Sequence, residues 1–461
     1  MKKILLIILL GSFLHAEAQL PLIKISDNKR YFVTGNNQPF FWLGDTGWLL
    51  FAKCTREEAI KYLDDRKQKG FNVIQVMLVH DLNVGVNAYG DSALHNKDLS
   101  KPNTTKGDSF TNANEYDFWD NVDYVIDEAA KRGLYMALVP VWGGNIKNVF
   151  VEQAKTYAEF LANRYKGKSN IIWLNGGDIK GTEALDKWNT IGNTIRSIDK
   201  NHLITFHPRG RNSSSAWFHN ATWLDFNMFQ SGHRSYAQDT SANETLHYGE
   251  DNWRYVNNDY NLKPIKPTLD GEPSYEDIPY GLHTSTEPYW QDFEIRRYAY
   301  WSVFAGGCGF TYGHNSVMQF YTPGDSGVSF FPKITWQDGL NAPGAGQMQH
   351  LKKLMLQKAY FGRVPDQSMV LDNGKRYQYV AATKASTFAM FYTYTGRKFK
   401  VALNKIEGTW LYAYWYDPRT GGKIEKGIIR NKGSRIFDPP GTEKNGNDWI
   451  LVLDTTLEIR K

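Results

Sequence analysis

Two cysteines in 461 residues are too few for a disulfide framework. No C-x-x-C or H-E-x-x-H spacing occurs, which removes the common zinc motifs. There is no basic block either. The net charge of +6 is spread along the chain, which argues against nucleic acid as a partner, since that needs clustered Lys and Arg. No apolar run reaches the ~20 residues that cross a bilayer. The G-x-G-x-x-G that follows the first strand of dinucleotide folds is missing. With 41% hydrophobic and 22% charged residues, the composition is globular and argues against long disorder. What is abundant is aromatic: 15% of the chain, with 15 Trp and 27 Tyr. Such stacking surface suits a carbohydrate-active protein, and a large core equally well.

Lys2 and Lys3 precede the apolar run Ile4 to Leu10, and Ala16-Glu17-Ala18 is a small-x-small cleavage site. Residues 1–18 therefore read as a secretory signal peptide. The mature chain is expected in the periplasm or the medium, with no membrane insertion once the signal is removed. Cys54 and Cys308 could pair there or stay as buried thiols, and the sequence leaves both open.

Eight apolar runs alternate with helical or crossover segments. The runs are Phe40 to Gly44, Val73 to Val79, Leu134 to Val141, Ile171 to Leu174, Leu203 to Phe206, Phe226 to Phe229, Pro267 to Asp270 and Phe310 to Tyr312. Thr55-Arg56-Glu57-Glu58 has capping-box form, and Gly70 and Gly133 stop helices. Roughly 270 residues separate Asp45 from Tyr312, close to the ~250 of an eight-stranded β/α barrel. The expected fold is a (β/α)8 TIM barrel over residues 19–361, with an N-terminal hairpin at Ile23 to Pro39. An open doubly wound sheet is the runner-up. From 362 to 461 short strand candidates separated by Gly, Asp, Asn and Pro predict an all-β sandwich domain.

Barrel active sites sit at the C-terminal ends of the strands, so the candidates are few. Asp178 follows the fourth run and Glu272 the seventh, nearly opposite across the barrel mouth. Two carboxyls so placed can flank one glycosidic bond, one protonating the leaving oxygen and the other attacking the anomeric carbon or activating water. Asp45, Asp81 and Asp270 are the other strand-end acids. Asp270 shares a face with Glu272 but lies deeper, which suits a supporting role. Trp48, Trp142 and Tyr312 are candidate stacking platforms, and His80, Asn175, His207, Gln230 and His233 candidate hydrogen-bonding groups. Arg209 and Arg211 follow the fifth run, where a guanidinium can pair with a uronate. No metal or cofactor is expected, and the chain is expected to act as a monomer on an oligosaccharide or polysaccharide.

Three stretches resemble a known family: Pro39-Phe40-Phe41-Trp42-Leu43-Gly44-Asp45-Thr46, Trp173-Leu174-Asn175-Gly176-Gly177-Asp178 and Asp270-Gly271-Glu272-Pro273. They are similar to the apiosidases, glycoside hydrolase family 140 of clan A. Asn447 to Leu453 resembles the closing strand of the accompanying C-terminal module, one labelled as collagen-binding in related sequences, although nothing in these residues supports collagen. The resemblance implies exo-acting release of apiose from galacturonic acid in the pectin rhamnogalacturonan-II. It also implies a retaining mechanism, with Asp178 as acid/base and Glu272 as nucleophile. One departure stands out: most of the clan places Asn-Glu after strand four, whereas here two glycines separate Asn175 from an Asp. A related glycosidase on another plant polysaccharide, or a non-catalytic glycan-binding protein, are the alternatives.

Overall fold

The computed structural model describes residues 19–455 except Val84 and Asn243. The signal-like residues 1–18 lie outside that range. All eight runs form strands that pair in parallel as neighbours: β1 (Trp42–Thr46), β2 (Val73–Val79), β3 (Tyr135–Val141), β4 (Ile171–Ile179), β5 (Ile204–Pro208), β6 (Asn227–Gln230), β7 (Thr268–Asp270) and β8 (Gly309–Tyr312). β8 pairs with β1, and the order runs on to β5 at one end and β6 at the other, where the two-residue strand Asn212–Ser213 adds antiparallel to β6. No regular ladder joins β5 to β6. Single bonds close that seam, from the Asp225 amide to the Ile204 carbonyl (2.8 Å) and from Thr205 Oγ1 to the Phe226 carbonyl (2.6 Å).

A helix follows each strand: α1 (Arg56–Gln68), α2 (Phe118–Lys131), α3 (Val151–Tyr165), α4 (Leu185–Ile198), the four-residue α5 (Ser215–Phe218), α6 (Trp253–Tyr260), α7 (Asp292–Phe304) and α8 (Pro343–Leu356). The capping box at Thr55 forms as read, with Thr55 Oγ1 accepting from the Glu58 amide and Glu58 accepting from the Thr55 amide. The N-terminal segment makes three short strands, one more than a hairpin needs: Ile23–Ile25, Phe32–Thr34 and Pro39–Phe40. Its Phe32 packs edge-on against Phe226 just before β6, so this small sheet plugs the end of the barrel opposite the strand C-termini. Cys54 and Cys308 are buried free thiols. Among the described residues no helix is long and apolar enough to cross a membrane.

The C-terminal part is an antiparallel six-stranded sheet, in the order Val364–Pro365, Val380–Lys384, Phe388–Thr393, Trp449–Thr455, Trp410–Tyr416, Lys423–Arg430. A two-stranded sheet, Phe399–Ala402 with Ser434–Phe437, packs on one face of it around Phe391, Phe399 and Trp415. The opposite face lies on the barrel. Tyr392 stacks on Tyr300 of α7 at 4.8 Å and 5°, and Tyr379 on Trp253 of α6 at 4.5 Å and 11°. Arg296 of α7 forks Asp448 through two 2.8 Å bonds, both side chains buried. Removing Asp448 takes both of these bonds from a buried guanidinium that keeps, among the described residues, only Asp292 and Gln347 as partners. Asp448→Ala is therefore expected to cost about 3–5 kcal/mol of stability, read from the urea midpoint at unchanged slope.

Candidate active site

The end of β4 carries three successive residues in the left-handed region: Gly176 (φ 95°), Gly177 (φ 106°) and Asp178 (φ 49°). The register of β4 against β5 breaks between Gly176 and Ile179, so the segment is a bulge that re-aims one side chain. Glycine is required at both leading positions. A Cβ on Gly176 would lie 2.6 Å from the His207 carbonyl oxygen, and one on Gly177 would lie 2.6 Å from the Trp142 ring. Asp tolerates this conformation at modest cost. The turn delivers Asp178 to the wall of a cavity of about 280 Å³ at the strand C-termini, and the residue keeps part of its surface exposed there.

Glu272 lies two residues beyond β7 and is buried. Inside the barrel, Gln75 donates to the Gly271 carbonyl at 2.8 Å and holds the backbone just before it. Two imidazoles from other strands grip its carboxylate. His207 Nε2, from β5, is 3.2 Å from Oε2, and His233 Nε2, just past β6, is 3.1 Å from Oε1. Burial pushes the Glu272 carboxyl up, but the bonds and charges of His207 and His233 outweigh it and bring it down to about 2. Asp178 moves the other way. Loss of water around it is the larger cause and the nearby Glu272 charge adds to it, so its carboxyl is pushed up to about 6; the two imidazoles and a hydrogen bond from Gln230 only partly offset this. One carboxyl held ionised beside one that keeps its proton up to about pH 6 is the division that acid–base chemistry at a glycosidic bond requires.

The aromatic wall is layered. Trp48 is buried, gives its Nε1–H to Tyr275 Oη at 2.9 Å, and packs 5.4 Å from the half-buried Trp142 and 5.3 Å from His207. Trp142 is the more exposed of the two rings, and neither ring lines the cavity itself. On the other side the cavity is cationic: Arg209, Arg211 and Arg234 line it with Gln230, His233 and His283. Glu244 ties Arg209 and Arg211 at 3.2 Å each, and Arg211 also meets Asp239 at 3.3 Å. Arg234 differs. Among the described residues no carboxylate is within ion-pair distance of it, and its one hydrogen bond is a long 3.5 Å contact to the Gln238 carbonyl.

Several residues expected at the site lie elsewhere. Asp45 is fully buried, ion-paired with Arg66 of α1 at 2.8 Å and accepting from Tyr62 at 2.7 Å. Tyr312 is fully buried and donates to Glu276 Oε2 at 2.6 Å. Asn175 is turned outward and donates to the Trp188 carbonyl of α4 at 2.8 Å. Asp270 is buried beneath the site, accepting from Ser231 Oγ at 2.6 Å and Asn252 at 3.0 Å. Asp81 caps its own loop by accepting from the Asn83 amide, and neither it nor His80 lines the cavity. Arg234 and His283 went unremarked in the sequence. Arg234 directly follows the Gln230-Ser231-Gly232-His233 run that drew notice, but His283 sits in a loop without any periodic signal. Among the described residues no group of three or more His, Cys, Asp or Glu is arranged to hold a metal ion.

Residues 26–362 match the family model "Apiosidase-like, catalytic domain", and residues 364–454 match "Putative collagen-binding domain of a collagenase". A solved structure described as a glycoside hydrolase is 45% identical, with a TM-score of 0.88, covering 95% of this chain and 97% of that one. A second, described as a glycoside hydrolase family 5 from Bacteroides vulgatus, is 41% identical with a TM-score of 0.89, covering 95% and 93%. A further glycoside hydrolase structure from the same organism, 12% identical with a TM-score of 0.63 over 94% and 82%, shares the fold. No curated protein matches the chain.

Proposed function

The chain belongs to the apiosidase-like family of glycoside hydrolases, and from that premise we propose that it is a retaining, exo-acting apiosidase. In this reading it releases apiose from galacturonic acid in rhamnogalacturonan-II, with Glu272 as nucleophile and Asp178 as acid/base. The observation that carries the assignment is the opposed state of the two carboxyls, about 2 for Glu272 and about 6 for Asp178. Glu272 attacks the anomeric carbon as the bond to the leaving oxygen breaks, and Asp178 gives that oxygen its proton. The glycosyl group then neutralises Glu272, which removes part of what kept Asp178 protonated. Asp178 can now take a proton from water, whose oxygen bonds to the anomeric carbon and frees Glu272. Attack twice at one carbon restores its configuration.

The cationic wall supports an acidic leaving group. Arg234 has a guanidinium free to fork a uronate, while Arg209 and Arg211 are already held by Glu244. Arg234→Gln is expected to raise KM about tenfold more for a uronate-linked substrate than for a neutral one, in parallel initial-rate assays. The proposed location is the periplasm or the medium, supported by the signal-like residues 1–18.

The decisive experiment incubates the protein with rhamnogalacturonan-II oligosaccharides and resolves the products by chromatography and mass. Free apiose is expected, its first anomer matching that of the substrate by proton NMR. Release of another sugar would move the assignment to a related glycosidase. Binding without release would leave a glycan-binding protein.

A further inference from the structure

A second cavity, of about 270 Å³, opens beside the first. The two share a wall, because Asp239 lines the second and its carboxylate pairs with Arg211, which lines the first. Two exposed guanidiniums border the second cavity, and they come from different domains. Arg254, on α6 of the barrel, lies over the Tyr248 ring at 4.0 Å, and Arg376, from the β domain, lies over the Tyr236 ring at 4.9 Å. Among the described residues neither is in an ion pair. The two carboxylates that line the cavity are engaged: Asp239 with Arg211 and the Gly249 amide (2.8 Å), Asp251 with the Tyr236 hydroxyl (2.5 Å).

A guanidinium flat on an aromatic ring keeps its N–H edge free for an anion and loses little entropy in binding one. Arg376 is also held in the left-handed region at φ 50°, unusual for a side chain of its size. The next residue fixes it there: Tyr377 reaches the buried Glu250, which pairs with Arg297 of α7. The strained residue is thus anchored in the domain interface, with its side chain over the cavity.

We propose that this cleft between the barrel and the β domain is a second anionic subsite. It takes the carboxylate of a uronic acid farther along the glycan than the bond being cut. The inference rests on the acidic substrate argued above. It gives the β domain a part in substrate binding through Arg376, besides its cover of the barrel. Two guanidinium forks suit a carboxylate, and a linear acidic oligosaccharide leaving the first cavity over the Arg211–Asp239 wall enters the second.

The test is calorimetric binding of mono- and trigalacturonate to the full chain and to the Arg254→Gln/Arg376→Gln double variant. These probes contain no apiosyl bond, so binding is read apart from cleavage. Both arginines are exposed, and equal melting temperatures would show an intact fold. The preference for the trimer over the monomer is expected to fall about tenfold in the variant. An unchanged preference overturns the subsite, as does a wild-type chain that favours neither. A sulfated trisaccharide bound more tightly than trigalacturonate overturns the uronate assignment. Release of apiose with an unaltered trimer preference would sink the subsite and spare the function. Arginine-dependent trimer binding without any apiose release would do the reverse.

Discussion

Glu272→Gln is expected to lower kcat by about 10⁴ or more, equivalent to roughly 5.5 kcal/mol of barrier. Gln matches Glu in size and can keep the two imidazole contacts, at 3.2 and 3.1 Å, so the pocket should survive while the attacking oxygen is lost. A smaller residue opens room for an external nucleophile. Glu272→Gly with azide should form a glycosyl azide of configuration opposite to the substrate's. Azide added to an Asp178→Gly variant should instead give the configuration of the substrate, because Glu272 still makes the first attack. Proton NMR of the two products separates the roles. Swapped anomers would reverse the assignment of the two carboxyls, and the same anomer from both variants would overturn it.

The second large effect is on pH dependence. In the proposed mechanism turnover needs Glu272 ionised and Asp178 protonated. Glu272, brought down to about 2, is ionised across any working pH, so the acid limb of kcat/KM should lie near pH 2. Asp178, pushed up to about 6, holds its proton below that pH and loses it above, so activity should fall as pH rises through about 6. The two values belong to a coupled pair, since each charge acts on the other. Asp178→Asn should remove the alkaline limb and lower the rate by about 10²–10⁴, least for substrates whose leaving group needs no proton. An alkaline limb that persists at the same pH in this variant would assign the proton to another group. In Glu272→Gln the Asp178 carboxyl should titrate lower than in the wild type, because one of the two causes that raise it is gone, and carbon-13 NMR of labelled Asp reads this directly.

The barrel was legible because each of its strands is a compact apolar run, most of which stop at a polar residue. The same rule located Asp178, His207, Gln230 and Glu272 at one level of the barrel. It failed to say which way a side chain points, and parity along each strand explains the errors. In β4, Asn175 shares a face with Trp173, whose indole reaches Asp199 outside the barrel, so Asn175 also faces the helices. In β8 it is Thr311 that turns inward to meet the Trp42 indole, which leaves Tyr312 facing out. In β1, Trp42 faces in and Asp45, at odd spacing from it, meets α1. His207 has the parity of Thr205, whose hydroxyl bridges to β6, and it points into the site. In the β domain the sequence left Val364–Pro365, Lys423–Arg430 and Ser434–Phe437 unread, the last two for another reason. Both are largely exposed and carry Lys, Glu, Arg and Ser in place of an apolar run, which is how edges avoid pairing with other chains.

The open seam of the barrel lies between β5 and β6, and the two histidines on Glu272 come one from each side of it. A carboxylate bridging them works as a clasp across the one join of the ring that has no regular ladder. Parting the two strands releases at least one oxygen, and with it one of the contacts that hold the Glu272 carboxyl low. In the mechanism proposed above, the sugar bonds to one arm of this clasp, so the covalent stage exchanges a contact across the seam for a bond to the substrate.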